Sequence, residues 1–545
     1  MAMKDLAARI PGNPVGRFTD GAYYLRVLRD AGVLAPVRPD RLGKMLVEYV
    51  RWGNNPATAS ALGAIRHPDD VYIDDELGTL TFAEVDRRAN SLARAFSERG
   101  VEEGDGIAIM ARNHRGFVDS TLAAAKLGCS ALFLNTMFSG RQLAEVIERE
   151  GPKALVYDQE FTELLEDVST DVKRFVCWHD DESPDDERIG DLIEQTAGDP
   201  VSAPKEDPRF VILTSGTTGT PKGAQRKSPS GLSPIAALLG AIPYRAEETM
   251  MVAAPLFHSW GFTHFVVATL LGNRVVLKRK FSPEGTLAAV DESGAQVLAV
   301  VPVMMQRILQ LDADKLDEYS MKSLRITSVS GSALPGELAT KWMDRFGDTI
   351  YNLYGSTEVA YATIASPDDL RAAPGTAGRP PHGTVVRIVD EDGNDVEPGE
   401  TGRIFVGNEM AFEGYTGGGG KEALGDLLSS GDVGHFDEDG RLFIDGRDDE
   451  MIVSGGENVF PREVEDLLAD HDAVNEVAVI GVDDDEYGQR LKAFVVLSEG
   501  KELSEADAKA YVKKNLAGYK VPREVEFLDS LPRNATGKVL KRELT

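Results

Sequence analysis

Short apolar runs alternate along this chain with stretches whose apolar residues recur at helical spacing. Phe210-Val211-Ile212-Leu213 is the clearest run, and Ile107-Ala108-Ile109-Met110 and Ala154-Leu155-Val156-Tyr157 repeat the pattern. Runs at 130–134, 275–277 and 297–301 complete a set of buried strands. Between them, Val85, Leu92, Ala93 and Phe96 share one face of a helix that starts at 80–84 and ends near 99. Further helices are predicted over 116–127 and 234–239. Strands alternating with helices at this spacing predict an α/β domain with a largely parallel sheet. Later the pattern changes. Residues 385–389 and 402–406, joined through Asp390-Glu391-Asp392-Gly393, read as a hairpin and suggest a smaller β-rich subdomain. A helix at 461–468, strands at 477–482 and 493–497, and a helix at 506–515 predict a compact α+β lid. The expected organisation is an extension over 1–69, a large domain over 70–447 and a C-terminal lid over 448–545.

The extension differs from the rest of the chain. Basic residues outnumber acidic ones before residue 55, and 23–28 and 42–50 carry apolar residues at roughly helical spacing. Such a segment either packs on its own domain, the commoner outcome, or touches anionic lipid.

At 545 residues the chain exceeds one core and implies at least two domains. Apolar residues make up 42% and charged residues 27%, as in ordinary globular proteins. A net charge of −30 argues against a general nucleic-acid binder. Acid is dense over 158–207, which reads as a solvated face. Cys129 and Cys177 offer no disulfide framework and no metal spacing, and no apolar run is long enough for a membrane span. A cytoplasmic location, at most peripheral to a membrane, is expected. The oligomeric state stays open, with a homodimer among the options.

Chemistry concentrates after the strand at 210–213. Thr214-Ser215-Gly216-Thr217-Thr218-Gly219-Thr220-Pro221-Lys222-Gly223 brings glycines, hydroxyls and one lysine together. Glycine lets backbone N–H groups approach a ligand, hydroxyls add donors and lysine adds charge, a combination suited to phosphate oxygens. It is not the P-loop pattern, because Pro221 stands where the second glycine would be. A flexible surface turn is the bland alternative for any such loop.

The string resembles the phosphate-binding signature of the adenylate-forming (ANL) enzymes, which include acyl-CoA synthetases, peptide-synthetase adenylation domains and firefly luciferase. Further motifs come in the family's order. Phe257-His258-Ser259-Trp260-Gly261 alone would be a satisfied core histidine; the resemblance places His258 between the carboxylate pocket and the ATP phosphates, with Trp260, Gly261 and Phe262 at the acyl pocket. Gly331-Ser332-Ala333 has the form of the adenine-side loop. Asn352-Leu353-Tyr354-Gly355-Ser356-Thr357-Glu358 matches the aromatic-Gly-x-Thr-Glu motif: Tyr354 against adenine, Thr357 on the α-phosphate, Glu358 on Mg²⁺, a cation that takes oxygen ligands. Asp432 is implied to accept from the ribose hydroxyls, although threonine is frequent where this chain has Ser430. Arg447 matches a ribose-contacting arginine and Asp449 the hinge, within the boundary string 445–449. Ser454-Gly455-Gly456-Glu457 looks like the CoA-side string of acyl-CoA synthetases. Lys538, in Pro532-Arg533-Asn534-Ala535-Thr536-Gly537-Lys538, matches the lysine that bridges carboxylate and α-phosphate.

The resemblance implies catalytic roles for Lys538, His258, Thr214, Lys222 and Glu358, with ATP, Mg²⁺ and CoA as reactants and cofactor. The implied reaction activates a carboxylic acid, read as a medium- to long-chain fatty acid, through an acyl-adenylate to acyl-CoA. Alternatives are an aryl or other acid–CoA ligase, an acyl-adenylate ligase feeding a carrier protein, and a non-catalytic nucleotide sensor. Intact Lys538, Glu358 and Lys222 weigh against the last.

Overall fold

The computed structural model describes residues 14–544 except 54, 170, 181–183, 206–207, 215–221, 227–232, 411, 416–419, 451, 455–456, 485–487 and 535–536. Two eight-stranded sheets form the bulk of the molecule. In one, strands Ile350–Tyr354, Ile326–Val329, Val297–Val300, Thr249–Val252, Arg274–Leu277 and Val71–Asp75 lie side by side in parallel. Antiparallel strands Thr363–Ala365 and Gly78–Thr81 close its edges. The other runs in parallel from Phe210–Thr214 through Ser130–Phe133, Gly106–Met110, Ala154–Asp158 and Lys173–Trp178, with the antiparallel strands Lys222–Arg226 and Phe412–Tyr415 on the side of Phe210–Thr214. Central strands such as Val297–Val300 are buried at every position, as expected where helices cover both faces.

One apolar core joins residues of both sheets. Phe82, Phe96, Phe117 and Phe133 pack with Val275, Leu298 and Trp342. The helix Phe82–Glu98 begins at Phe82 because Thr81 and Glu84 form a reciprocal cap: the Thr81 hydroxyl accepts from the Glu84 amide, and the Glu84 carboxylate accepts from that of Thr81. The residues just before it are a short strand, Gly78–Thr81, rather than the first helical turn.

A third sheet, antiparallel and five-stranded, holds Val385–Val389, Gly402–Gly407 and the ten-residue Leu427–Phe436. The fourth is built entirely after residue 450. Val474–Asp484 and Gly488–Leu497 form its long antiparallel pair, and the helices Pro461–Ala469 and Glu505–Asn515 enclose a separate core around Val464, Leu468, Val479 and Val512. Of the N-terminal helices, Pro14–Asp30 is anchored by Val27 and Leu28 in the main core, and Pro39–Trp52 by the buried Trp52. Among the described residues no helix is long and apolar enough to cross a membrane.

Candidate active site

A cavity of about 1690 Å³ opens between the large sheets, the small antiparallel sheet and the C-terminal unit. Its polar wall begins at the parallel strand Ile350–Tyr354, whose end carries the aromatic-Gly-x-Thr-Glu string. Gly355 has no room for a side chain, since a Cβ there would lie 2.2 Å from the Ala360 carbonyl oxygen. That close approach bends the chain so that Tyr354, Ser356, Thr357 and Glu358 all line the cavity.

Two acids on this wall are held by neighbours. The Tyr415 hydroxyl donates to Glu358 Oε1 at 2.7 Å and the Ser356 hydroxyl to Oε2 at 2.8 Å. Burial pushes the Glu358 carboxyl up, but these two bonds, with Lys421 nearby, outweigh it and leave the pKa below the usual value. Glu358 is therefore an ionised, partly shielded oxygen donor, a chemistry that fits Mg²⁺. Asp432 accepts from the Tyr354 hydroxyl on one oxygen and from Arg447 at 3.4 Å on the other. Burial raises its pKa against the pull of Tyr354, Arg447, Lys538 and Lys421.

Opposite these acids stand Arg533, Asn534, Gly537 and Lys538. Lys538 lines the same cavity and makes no salt bridge among the described residues; its amide donates to Asn534 Oδ1 at 2.9 Å. Gly537, at φ +79°, approaches the large domain so closely that a Cβ would sit 2.2 Å from Val303 Cγ1. Gln306 and Gln310 donate to Asn475 at 3.1 and 2.8 Å across the same junction.

The apolar end of the cavity lies below. His258 precedes the helix Ser259–Leu271. Its Nε2 is enclosed without a partner among the described residues, and burial lowers the imidazole pKa to about 4, so the ring is neutral near pH 7. Trp260 Nε1 donates to the Val300 carbonyl, and Phe262 packs against Phe133 and Phe210 at ring distances of 4.9 and 5.0 Å. Gly261 cannot gain a side chain, because a Cβ would lie 2.2 Å from the Pro255 carbonyl oxygen. Val266, Val267, Leu270, Leu62 and Tyr49 continue the apolar wall outward.

The remaining candidate residues are distributed around this cavity and beyond it. Gly331, Ser332, Ala333 and Asn352 line the cavity, and Asn352 Oδ1 is buried without a partner among the described residues. The strands before and after the phosphate-loop string pair antiparallel with Thr214 opposite Lys222; Ser215, Gly216, Thr217, Thr218 and Gly219 lie outside the described residues, as do the side chains of Thr214 and Lys222. Ser454 stands opposite Glu457 in a tight antiparallel pair, while Gly455 and Gly456 lie outside the described residues. Asp449 sits in the short turn Asp448–Glu450, its side chain not described. Sequence reasoning missed Tyr415 and Lys421. Tyr415 carries no spacing signal toward Glu358, whereas a lysine after four glycines was a usable one.

Residues 63–416 match the AMP-binding enzyme family and 463–538 its C-terminal domain. The chain belongs to the AMP-binding enzymes. Within that family it is an acid–CoA ligase that works through an acyl-adenylate with ATP, Mg²⁺ and CoA. It is 33% identical over 482 residues to a feruloyl-CoA synthase of Amycolatopsis sp., covering 85% of this chain and 93% of that one. An indoleacetate–CoA ligase of Aromatoleum aromaticum is 30% identical, covering 85% and 92%. The solved anthranilate CoA ligase AuaEII in complex with anthranoyl-AMP superposes with a TM-score of 0.79 at 25% identity, covering 90% of this chain and 96% of that one.

Proposed function

We propose that this ligase activates an aromatic carboxylic acid. The reading rests on the cavity's inner end, where Trp260, Phe262 and Phe210 provide flat apolar faces beside His258. Aromatic rings favour offset and edge-on packing against such side chains. Relatives named for ferulate, indoleacetate and anthranilate support it and turn the fatty-acid expectation toward its aryl alternative. The elongated apolar wall from Val266 to Leu270 and Tyr49 supports the fatty acid as second reading.

In the first half-reaction the carboxylate attacks the α-phosphorus and pyrophosphate leaves. Lys538 meets the charge that grows on the carboxylate and phosphate oxygens, Asp432 and Arg447 orient the ribose, and Thr357 and the 214–222 loop hold the phosphates. Glu358 would hold Mg²⁺, which would supply neutralisation of phosphate charge. In the second half-reaction the CoA thiolate attacks the acyl carbonyl and AMP leaves. The domain division at 447/448, with Asp449 as the hinge, lets the C-terminal unit turn so that Ser454 to Glu457 meet CoA.

AMP release and thioester formation across benzoic, cinnamic and indole acids and fatty acids of increasing length test this. The expected result is a kcat/KM at least about tenfold higher for an aryl acid, a gap of about 1.4 kcal/mol. A fatty acid in first place by that margin overturns the aryl reading.

A further inference from the structure

The helix Pro39–Trp52 is amphipathic, yet much of its apolar arc points away from the protein. Its contact face is formed by Arg41, Met45, Glu48 and Trp52. Arg41 donates to the Arg66 carbonyl at 2.6 Å, and Trp52 Nε1 donates to Glu48 at 2.7 Å. The outward arc holds Leu42, Leu46, Val47, Tyr49 and Val50, which are 47, 59, 64, 51 and 83% exposed. A contiguous apolar arc left in water needs a cover.

We propose that this outward face docks on a lipid surface bearing anionic headgroups. Three observations point there. Across 20–52 basic residues outnumber acidic ones in a chain of net charge −30, and the exposed Lys44 lies at the edge of the arc. An apolar face flanked by cations is the pattern of helices that lie in a membrane interface. Five side chains on one fourteen-residue helix fall well short of the roughly 20 residues per side that a stable protein interface uses, which disfavours a second copy as the cover. Finally, Tyr49 belongs both to the arc and to the cavity wall, together with Gly53, Leu62 and the 46% exposed Leu270. Docking turns that end of the cavity toward the lipid, where an apolar acid is concentrated.

The proposal does not depend on which acid is activated, because binding is read without turnover. Flotation of the full chain with phosphatidylcholine vesicles, with and without roughly 30% phosphatidylglycerol, measures it. The wild type should float with the anionic vesicles, and less at higher salt. The double variant Leu46→Asp, Val50→Asp, which alters only exposed side chains outside the cavity wall, should bind at least about tenfold less while keeping its rate on a dissolved acid. Lys44→Glu should weaken binding to a smaller degree. The idea is overturned if the wild type stays with the vesicle-free fraction at every composition, or if the double variant floats equally well. A dimer in sedimentation velocity that the double variant dissociates assigns the face to a second copy and overturns it as well.

Discussion

The floor and the roof of the active-site cavity are built differently. On the floor, Glu358 and Asp432 sit in the large domain with their oxygens occupied: Tyr415 and Ser356 hold one, Tyr354 and Arg447 the other. On the roof, Lys538 extends from a turn with no salt bridge among the described residues. The difference is one of preorganisation. The groups proposed to await ATP have their geometry fixed by neighbours. Lys538, proposed to serve one half-reaction and leave for the other, has no ion pair among the described residues to give up.

Five measurements break or sharpen this contrast, beginning with the largest expected effect. Lys538→Ala should lower acyl-adenylate formation by about 10²–10³-fold, as loss of a group aimed at developing charge does, while thioester formation from supplied acyl-adenylate is spared. Pyrophosphate release and thioester yield read the two steps, and equal loss in both would place Lys538 among the fixed groups. Asp432→Ala removes a pinned acceptor and should cost about 1–3 kcal/mol of ATP affinity by calorimetry. Unchanged affinity means the ribose lies elsewhere.

Gly537→Ala sharpens the contrast from the roof's side. A methyl group cannot fit against Val303, and the backbone there is left-handed. Adenylation should fall by about tenfold, near 1.4 kcal/mol, with AMP affinity for the floor retained. Tyr415→Phe removes one bond to Glu358 and should raise the Mg²⁺ concentration for half-maximal rate several-fold, in line with the ~0.5–1.5 kcal/mol of one hydrogen bond. Lys421 would dominate instead if Tyr415→Phe is silent.

The smallest effect is on stability. His264 is buried, His258 is half-buried with its Nε2 enclosed, and desolvation lowers the pKa of each to about 4 from 6.5. Between those values the unfolded chain binds more protons than the folded one, so stability rises with pH across about 4 to 6.5 and is lost as pH falls through it. Thermal unfolding at pH 7, 6 and 5 should show a falling midpoint, less steep in His264→Gln.

Much of the floor was legible in the sequence because it is local. The string Asn352 to Glu358 supplies consecutive residues to one wall; the strand Ile350–Tyr354 that leads into it was not among the predicted strands, because Asn352 interrupts its apolar run. The partners of that wall were not legible. Tyr415 reaches Glu358 only because the strand Phe412–Tyr415 adds to the sheet edge beside Lys222–Arg226, a register that no local pattern encodes. Gly537 reads as a turn glycine, and its contact with Val303 exists only once two units are docked. The Pro39–Trp52 helix teaches a third limit. Periodicity reveals that one side is apolar but not which side meets the protein; Trp52 and Met45, at the edge of the arc, decide that.

The division of the cores carries a consequence for how the molecule comes apart. One core joins the two large sheets, the second of which has a further cluster around Leu132, Leu155 and Val211, while the C-terminal unit has its own around Val464, Leu468, Val479 and Val512. Loss of any part of the shared core should melt both large sheets together. The C-terminal unit can unravel and reform without them, so calorimetry should resolve two heat-absorption peaks, and hydrogen exchange after residue 450 should track the free energy of that smaller unit.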